Sequence, residues 1–252
     1  YQLGMAVNRF DQDKGKVPGW RHALSGRNVS WPIMCLPYLE RNDLFNDWNG
    51  GVANPSGGTL GVFICPSAPA NPTNGSPLAY VGNCGVQGNG LVANSIKKYC
   101  GVMVDDTTEN YSLEDVADGD GTATTLLFAE KAMGDNFDFQ KIWDRSNEGS
   151  FLNANNCRLD PNTGLFPNIL DGYPAFGLAA NMANSSDVAC VQPRSAHQGG
   201  GVVAFCDGHT YFLGNDVNTT VYTQLVTSNG GRLPNVGDYS QYKVTTLNEG
   251  SY

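Results

Sequence analysis

Charge is what this sequence has least of. Only 15% of its 252 residues are charged, against the quarter or so usual in soluble domains. Within that small set 24 acids face 15 Lys and Arg, for a net charge of −9. So few cations give no patch for a phosphate backbone or an anionic lipid surface, which argues against nucleic acid and charged membrane as partners. The chain also lacks any run of about 18 apolar residues, the length a membrane-spanning helix requires. Histidine is scarce, with His22, His197 and His209 the full set. The seven cysteines contain no Cys-x-x-Cys and no paired Cys/His spacing, which argues against a zinc finger or ribbon. A Gly-x-Ser-x-Gly elbow is missing; Gly57 to Gly61 reads Gly-x-Thr-x-Gly inside a loop with no helix after it, so a serine hydrolase of that type is not expected. Gly85, Gly88 and Gly90 lack the order and the strand-to-helix setting of a dinucleotide fingerprint. These absences together predict a protein that is not an enzyme.

What is present is turn chemistry. With 31 Gly and 13 Pro beside abundant Asn, the composition favours loops and short strands over long helices. Leu3, Ala6, Val7 and Phe10 fall at spacings of three and four before Gly15 and Pro18, as in the last turns of an amphipathic helix. That helix has a stop signal and no capping residue at its start, so it reads as the end of something longer, packed on a sheet face that holds Val203 and Phe205. Residues 30–49 carry Pro37 at a first-turn position followed by apolar residues near helical spacing. Short strands are predicted at Gly61–Cys65, at Leu78–Val81 and, buried, at Thr124–Ala129. Residues 133–193 form an Asn- and aromatic-rich excursion. The clearest local signal is GGGVVAFCDGHTYFLG, residues 199–214. Asp207-Gly208 between two apolar runs predicts a two-residue hairpin turn, facing Ala204 with Tyr211, Val203 with Phe212 and Val202 with Leu213. Thr219–Thr227 then reads as a short helix closed by Asn229, Gly230 and Gly231. The order of elements predicts an α+β fold with one antiparallel sheet.

Several residues invite a chemical reading. Cys206 and His209 flank the turn, yet nothing nearby activates the thiol, so a hydrophobic Cys beside a turn His is the simpler account. His197 and Asp207 are ten residues apart, about 33 Å along a straight strand, too far for one coordination sphere. Asp115, Asp118 and Asp120 crowd the loop EDVADGDGT, and oxygen ligands on glycine-bearing backbone suit Ca²⁺, although the EF-hand pattern fails. No other cofactor is suggested. Trp20, Trp31, Trp48 and Trp143 offer either core packing or a sugar-stacking surface. Cys84 with Cys100, and Cys157 with Cys190, are the expected disulfides, the first closing a loop worth about 3 kcal/mol. Cys35 and Cys206, in apolar runs, read as buried hydrophobes. Asn28, Asn74, Asn110, Asn184 and Asn218 stand in Asn-x-Ser/Thr.

Six short segments occur in a telling order: YQLGMA from Tyr1, WPIMCLPYLE from Trp31, Cys65-Pro66-Ser67, Tyr80-Val81-Gly82-Asn83, Asp120-Gly121-Thr122 leading to Glu130, and His197 followed after nine residues by Asp207-Gly208. This series resembles the planctomycete-type pilin-like proteins, a domain family of unknown function also described as major-pseudopilin-like or as a transporter component. The resemblance runs from Tyr1 to about Gly231. The chain departs from the family pattern at Ala68, where an Asp often follows Cys-Pro-Ser, and at His209-Thr210, where Ser-Val often follows Asp-Gly. The resemblance implies a type IV pilin-like fold: residues 1–16 as the C-terminal end of the pilin helix, with Leu3, Val7 and Phe10 on its assembly face, and residues 17–252 as a globular head. Cys65, Pro66, His197, Asp207 and Gly208 are its structural motif residues. It further implies an exported protein, extracellular, at the cell surface or periplasmic, whose partners are copies of itself or related pilin-like subunits. Membrane contact would come only through an apolar helix ahead of Tyr1. The expected function is that of a structural subunit, a pilin or pseudopilin head in a filament or secretion-associated pseudopilus; the alternative is an extracellular glycan- or solute-binding module.

Overall fold

Thirteen residues, Gln2–Lys14, form helix α1 and bury Leu3, Gly4, Ala6, Val7 and Phe10, the stripe expected from their spacing. Gly15 ends the helix in the left-handed region at φ 66°, its N–H returning to Asp11 O at 2.7 Å. The computed structural model describes residues 1–19, 22–29, 31–52, 60–67, 78–83, 99–104, 110–130, 177–178, 194–195, 197, 199–214, 217–233, 243 and 247. A small hairpin, β1 (His22–Leu24) with β2 (Arg27–Val29), leads into α2 (Trp31–Cys35). Pro37 then sits at the start of a 3-10 turn, Leu36–Leu39. Glu40 leaves that turn at φ 61°, so the apolar residues of the 30–49 stretch are divided between α2, the turn and α3 (Asn42–Asn49).

α1 lies principally against α2 and the Leu36–Leu39 turn. Phe10 meets Tyr38 edge-on at 5.7 Å and His22 at 6.0 Å, and Tyr38 Oη donates to Asp13 at 2.6 Å. The helix also meets the sheet. Gly4 abuts the Gly208 backbone, and Asn8 Nδ2 donates to Cys206 O at 3.3 Å. Leu3, Ala6 and Val7 share one core with Val203 and Phe205.

The main sheet has four antiparallel strands in the order β3-β4-β7-β8. β3 is Tyr80–Gly82, β4 is Leu126–Glu130, β7 is Gly200–Phe205 and β8 is Thr210–Gly214. Between them in sequence stand α4 (Leu113–Ala117) and a parallel pair, β5 (Gly177–Leu178) with β6 (Arg194–Ser195). After β8 come α5 (Thr219–Val226) and a 3-10 turn, Gly230–Arg232. The fold is α+β. β4 is buried at every residue, as befits an inner strand covered on both faces, and a register shift between Leu126 and Phe128 marks a bulge at Leu127.

Three local readings are corrected. Gly61–Phe63 is a 3-10 turn rather than a strand, because Phe63 N–H closes on Leu60 O at 2.9 Å; five residues between Gly and Pro carry too little periodicity to separate the two. The strand near residue 80 begins two residues later than expected. The hairpin register slips by one: Ala204 pairs with Thr210, Val203 with Tyr211 and Val202 with Phe212. The reason is the turn. Phe205 exchanges bonds with Gly208 and His209, so Cys206, Asp207 and Gly208 make a three-residue loop in which only Gly208 has positive φ, 93°. A two-residue turn of the expected type needs positive φ at Asp207 as well. The loop is pinned by Cys206 N–H to Thr125 O and Asp207 N–H to Thr122 O, at 3.0 and 3.1 Å. The slip leaves Leu213 buried and Tyr211 and Phe212 exposed at 42% and 47%.

Candidate functional site

Three residues far apart in sequence meet at one end of the two inner strands. Cys65 follows the Gly61–Phe63 turn, Glu130 is the last residue of β4, and His197 precedes β7, separated from it by Gly199 at φ 83°. Cys65 Sγ lies 3.6 Å from His197 Nε2, and Glu130 Oε1 lies 3.3 Å from the same nitrogen. Sulfur, carboxylate oxygen and ring nitrogen all fall within 4.8 Å of one another. Cys65 and Glu130 are buried, 3% and 4% exposed, while the His197 side chain keeps about a third of its surface.

The other carboxylate oxygen of Glu130 is fully employed. Oε2 accepts from Ser195 Oγ at 2.7 Å and from Val202 N–H at 3.0 Å. Ser195 Oγ in turn accepts from His197 N–H at 3.0 Å. These bonds fix the carboxylate plane and aim Oε1 at the imidazole. Across the sheet Tyr80 pairs with Glu130; burial, with the nearby Cys65 and Glu130 charges, pushes its phenol up to about 12. Phe212 stands edge-on to the His197 ring at 6.3 Å.

Of the motif residues, the sheet therefore brings Cys65 and His197 together and sends Asp207 and Gly208 to the opposite end of β7. Pro66 is exposed beside Cys65. Asp207 Oδ1 accepts from His209 N–H at 2.9 Å and faces His209 Nδ1 at 2.7 Å. The His209 ring stacks on Phe205 at 4.2 Å. Cys206 is fully buried, and burial first, then the Asp207 charge, raises its thiol well above the ordinary range. That turn holds no activated nucleophile.

Two of the acids expected to hold calcium, Asp115 and Asp120, are engaged within the fold. Asp115 closes a capping box on α4, its Oδ2 accepting from Ser112 N–H at 2.9 Å and Ser112 Oγ at 2.7 Å. Asp120 is buried and its Oδ2 accepts from Thr227 Oγ1 at 3.0 Å and Gly230 N–H at 2.7 Å. Asp115 and Asp118 both line a small polar pocket with Tyr99, Tyr111 and Arg232, while Asp120 is committed elsewhere. The three carboxylates do not bring their oxygens together as one donor set; among the described residues, Cys65, Glu130 and His197 are the group that does. Trp31 and Trp48 are core residues, 0% and 6% exposed, so neither offers a sugar platform; Trp20 and Trp143 lie outside the described residues. Cys100 is buried, while Cys84, Cys157 and Cys190 also lie outside them.

Sequence reasoning placed Glu130 only as the end of a motif run. The signal that marks it is an acid closing the apolar run LLFA, since a carboxylate at the end of a strand buried on both faces needs dedicated partners.

An antiparallel sheet that meets α1 at its hairpin loop and carries a Cys-Glu-His cluster at the other end defines an α+β domain. Within that class, the model of a family described as a protein of unknown function (DUF1559, SBP_bac_10) matches residues 1–220, and the chain belongs to this family. No curated protein and no solved structure is significantly similar to it.

Proposed function

We propose that this chain is the head of a pilin- or pseudopilin-type structural subunit that assembles outside the cell. The observation that carries the reading is the seating of α1. Its apolar stripe, Leu3, Ala6, Val7 and Phe10, is buried, and its two polar-side ties, Asn8 to Cys206 O and Asp11 Oδ1 to Leu113 N–H at 3.1 Å, reach two other segments of the head. A helix held on several sides moves with the head as one body. An upstream apolar continuation of that helix would then set the position of every head in a polymer.

Two further features support the reading. The low charge lowers the desolvation cost of packing heads side by side. β8 ends the four-strand order and presents Tyr211 and Phe212 outward, which suits lateral contact between subunits. The test is negative-stain imaging of the protein produced from its native start in a cell that exports it. Filaments, lost when Phe212 and Tyr211 are both changed to Lys, are the expected result. A native polypeptide without an apolar stem ahead of Tyr1, or one that never assembles, overturns the proposal.

A further inference from the structure

We propose that Cys65, Glu130 and His197 form a three-ligand site for a divalent transition metal, Zn²⁺ by chemistry, with a fourth position open on the His197 side. The proposal does not rest on the pilin reading and concerns the end of the sheet away from the hairpin loop that α1 meets.

The geometry first excludes the obvious rival, a cysteine nucleophile with a histidine base and an acidic orienter. In that relay the thiol and the carboxylate address opposite ring nitrogens, one giving its proton to the base and the other holding the far N–H. Here Cys65 Sγ and Glu130 Oε1 both approach Nε2, at 3.6 and 3.3 Å. A single imidazole nitrogen has one proton to offer and serves two such neighbours only by sharing it, as a weakened three-centre bond. A cation among the three atoms satisfies all of them.

Two of the three ligand separations match one ion, and the third, sulfur to carboxylate, lies within 4.8 Å. Zinc bonds of about 2.3 Å to sulfur and about 2.0 to 2.1 Å to nitrogen or oxygen, at a tetrahedral angle, place the S and N ligands roughly 3.6 Å apart and N and O roughly 3.3 Å apart. The observed separations are 3.6 Å for Sγ to Nε2 and 3.3 Å for Nε2 to Oε1. The donor set selects against other metals as well, since Ca²⁺ and Mg²⁺ take oxygen ligands, whereas thiolate with imidazole suits Zn²⁺ and its neighbours.

The surroundings are those of a supported ligand. Glu130 Oε2 is held by Ser195 Oγ and Val202 N–H while Oε1 points into the cluster, an outer shell that fixes a ligating carboxylate. His197 N–H donates to the same Ser195 Oγ, so one hydroxyl orients two of the three ligands. Ser195 is thus a positioning residue. A cation between a buried carboxylate and a buried thiol offsets the cost of burying the charge, and a metal ion would supply it. The exposed third of His197 gives the fourth position access to solvent.

The experiment uses the full chain, free of affinity tags and stripped with a chelator, titrated with Co²⁺ and then with Zn²⁺ against a chromophoric competitor. The expected result is one ion per chain, with a sulfur-to-cobalt charge-transfer band in the near ultraviolet and intense visible bands of a tetrahedral centre, both erased by Zn²⁺. Cys65→Ser should abolish the charge-transfer band, and His197→Ala should weaken binding at least as much. Ser195→Ala should weaken it by about 10- to 100-fold, as outer-shell changes do, while keeping the band. Because Glu130 is buried and Glu130→Gln can unfold the sheet, His197→Ala carries the test, with circular dichroism checking the fold. Absence of stoichiometric Co²⁺ binding by the wild-type chain, or binding untouched by Cys65→Ser and His197→Ala, overturns the site.

Discussion

Asp120→Ala is the substitution expected to damage the head most for the smallest change. The Asp120 side chain is about 5% exposed, and its Oδ2 receives Gly230 N–H at 2.7 Å and Thr227 Oγ1 at 3.0 Å; its own N–H donates to Ser228 O at 2.9 Å. One carboxylate therefore ties the segment after α4 to the segment after α5. Hydrogen bonds to a charged group contribute about 1.5 to 3 kcal/mol each, so losing two costs about 3 to 6 kcal/mol. That is a large share of a typical stability of about 5 to 15 kcal/mol. Asp120→Asn keeps the shape and an acceptor but loses the charge, and should cost about 1 to 3 kcal/mol. The assay is urea denaturation followed by tryptophan fluorescence, since Trp31 and Trp48 are buried reporters, with a double-mutant cycle against Thr227→Val to isolate the pair. Ca²⁺ at millimolar concentration should leave the melting temperature unchanged, because Asp115 is engaged by its capping box and Asp120 by Thr227 and Gly230. A loss below about 1 kcal/mol for Asp120→Ala, or a Ca²⁺-dependent rise in melting temperature, would refute the reasoning.

Phe10→Ala removes a buried ring edge-on to Tyr38 and His22 and should cost about 3 to 5 kcal/mol in the same denaturation assay. Gly200→Ala should loosen the hairpin, because a Cβ there overlaps the Leu213 carbonyl and meets Phe212 at 2.8 Å; amide hydrogen exchange would show lost protection in β8. Burial holds the Tyr111, Tyr222, Cys35 and Cys206 side chains protonated above their ordinary ranges and Tyr80 to about 12. Above pH 9 the unfolded chain therefore sheds protons that the folded chain keeps. Stability should fall as pH rises, first with the thiols and more steeply from pH 10 to about 12, by about 1.4 kcal/mol per pH unit for each such group. Melting temperatures across that range check it, and a flat profile contradicts the assignment.

Much of the fold was legible because its signals are local. The stripe in α1 and the glycine that ends it, the apolar run of β4, and the short helix after Asn218 with the glycines that follow it all lie within a few residues of what determines them. The hairpin's existence was legible in the same way; its register was not, since the choice between a two- and a three-residue turn is made by bonds from Cys206 and Asp207 to Thr125 and Thr122, some eighty residues earlier. Nor were the contacts of α1 with α2 and the Leu36–Leu39 turn, which depend on where those segments lie. The Cys65-Glu130-His197 cluster is the extreme case. Its members stand 65 and 67 positions apart, and only the strand order β3-β4-β7 closes the gap. A search for closely spaced ligand pairs passes over a site assembled one residue at a time from three separate segments.

Glu130 has a second employment that follows from its place at the end of β4. Its carboxylate receives Val202 N–H one step beyond the Ala129–Val203 pair, so a side chain continues the ladder where backbone pairing stops. Tension applied along β7, as a neighbouring subunit tugging on β8 would apply it, is thereby transmitted straight to the cluster. A metal ion held by the cluster would act as a rivet on the hairpin, and its departure would slacken the outer edge of the sheet without any residue of that edge being altered.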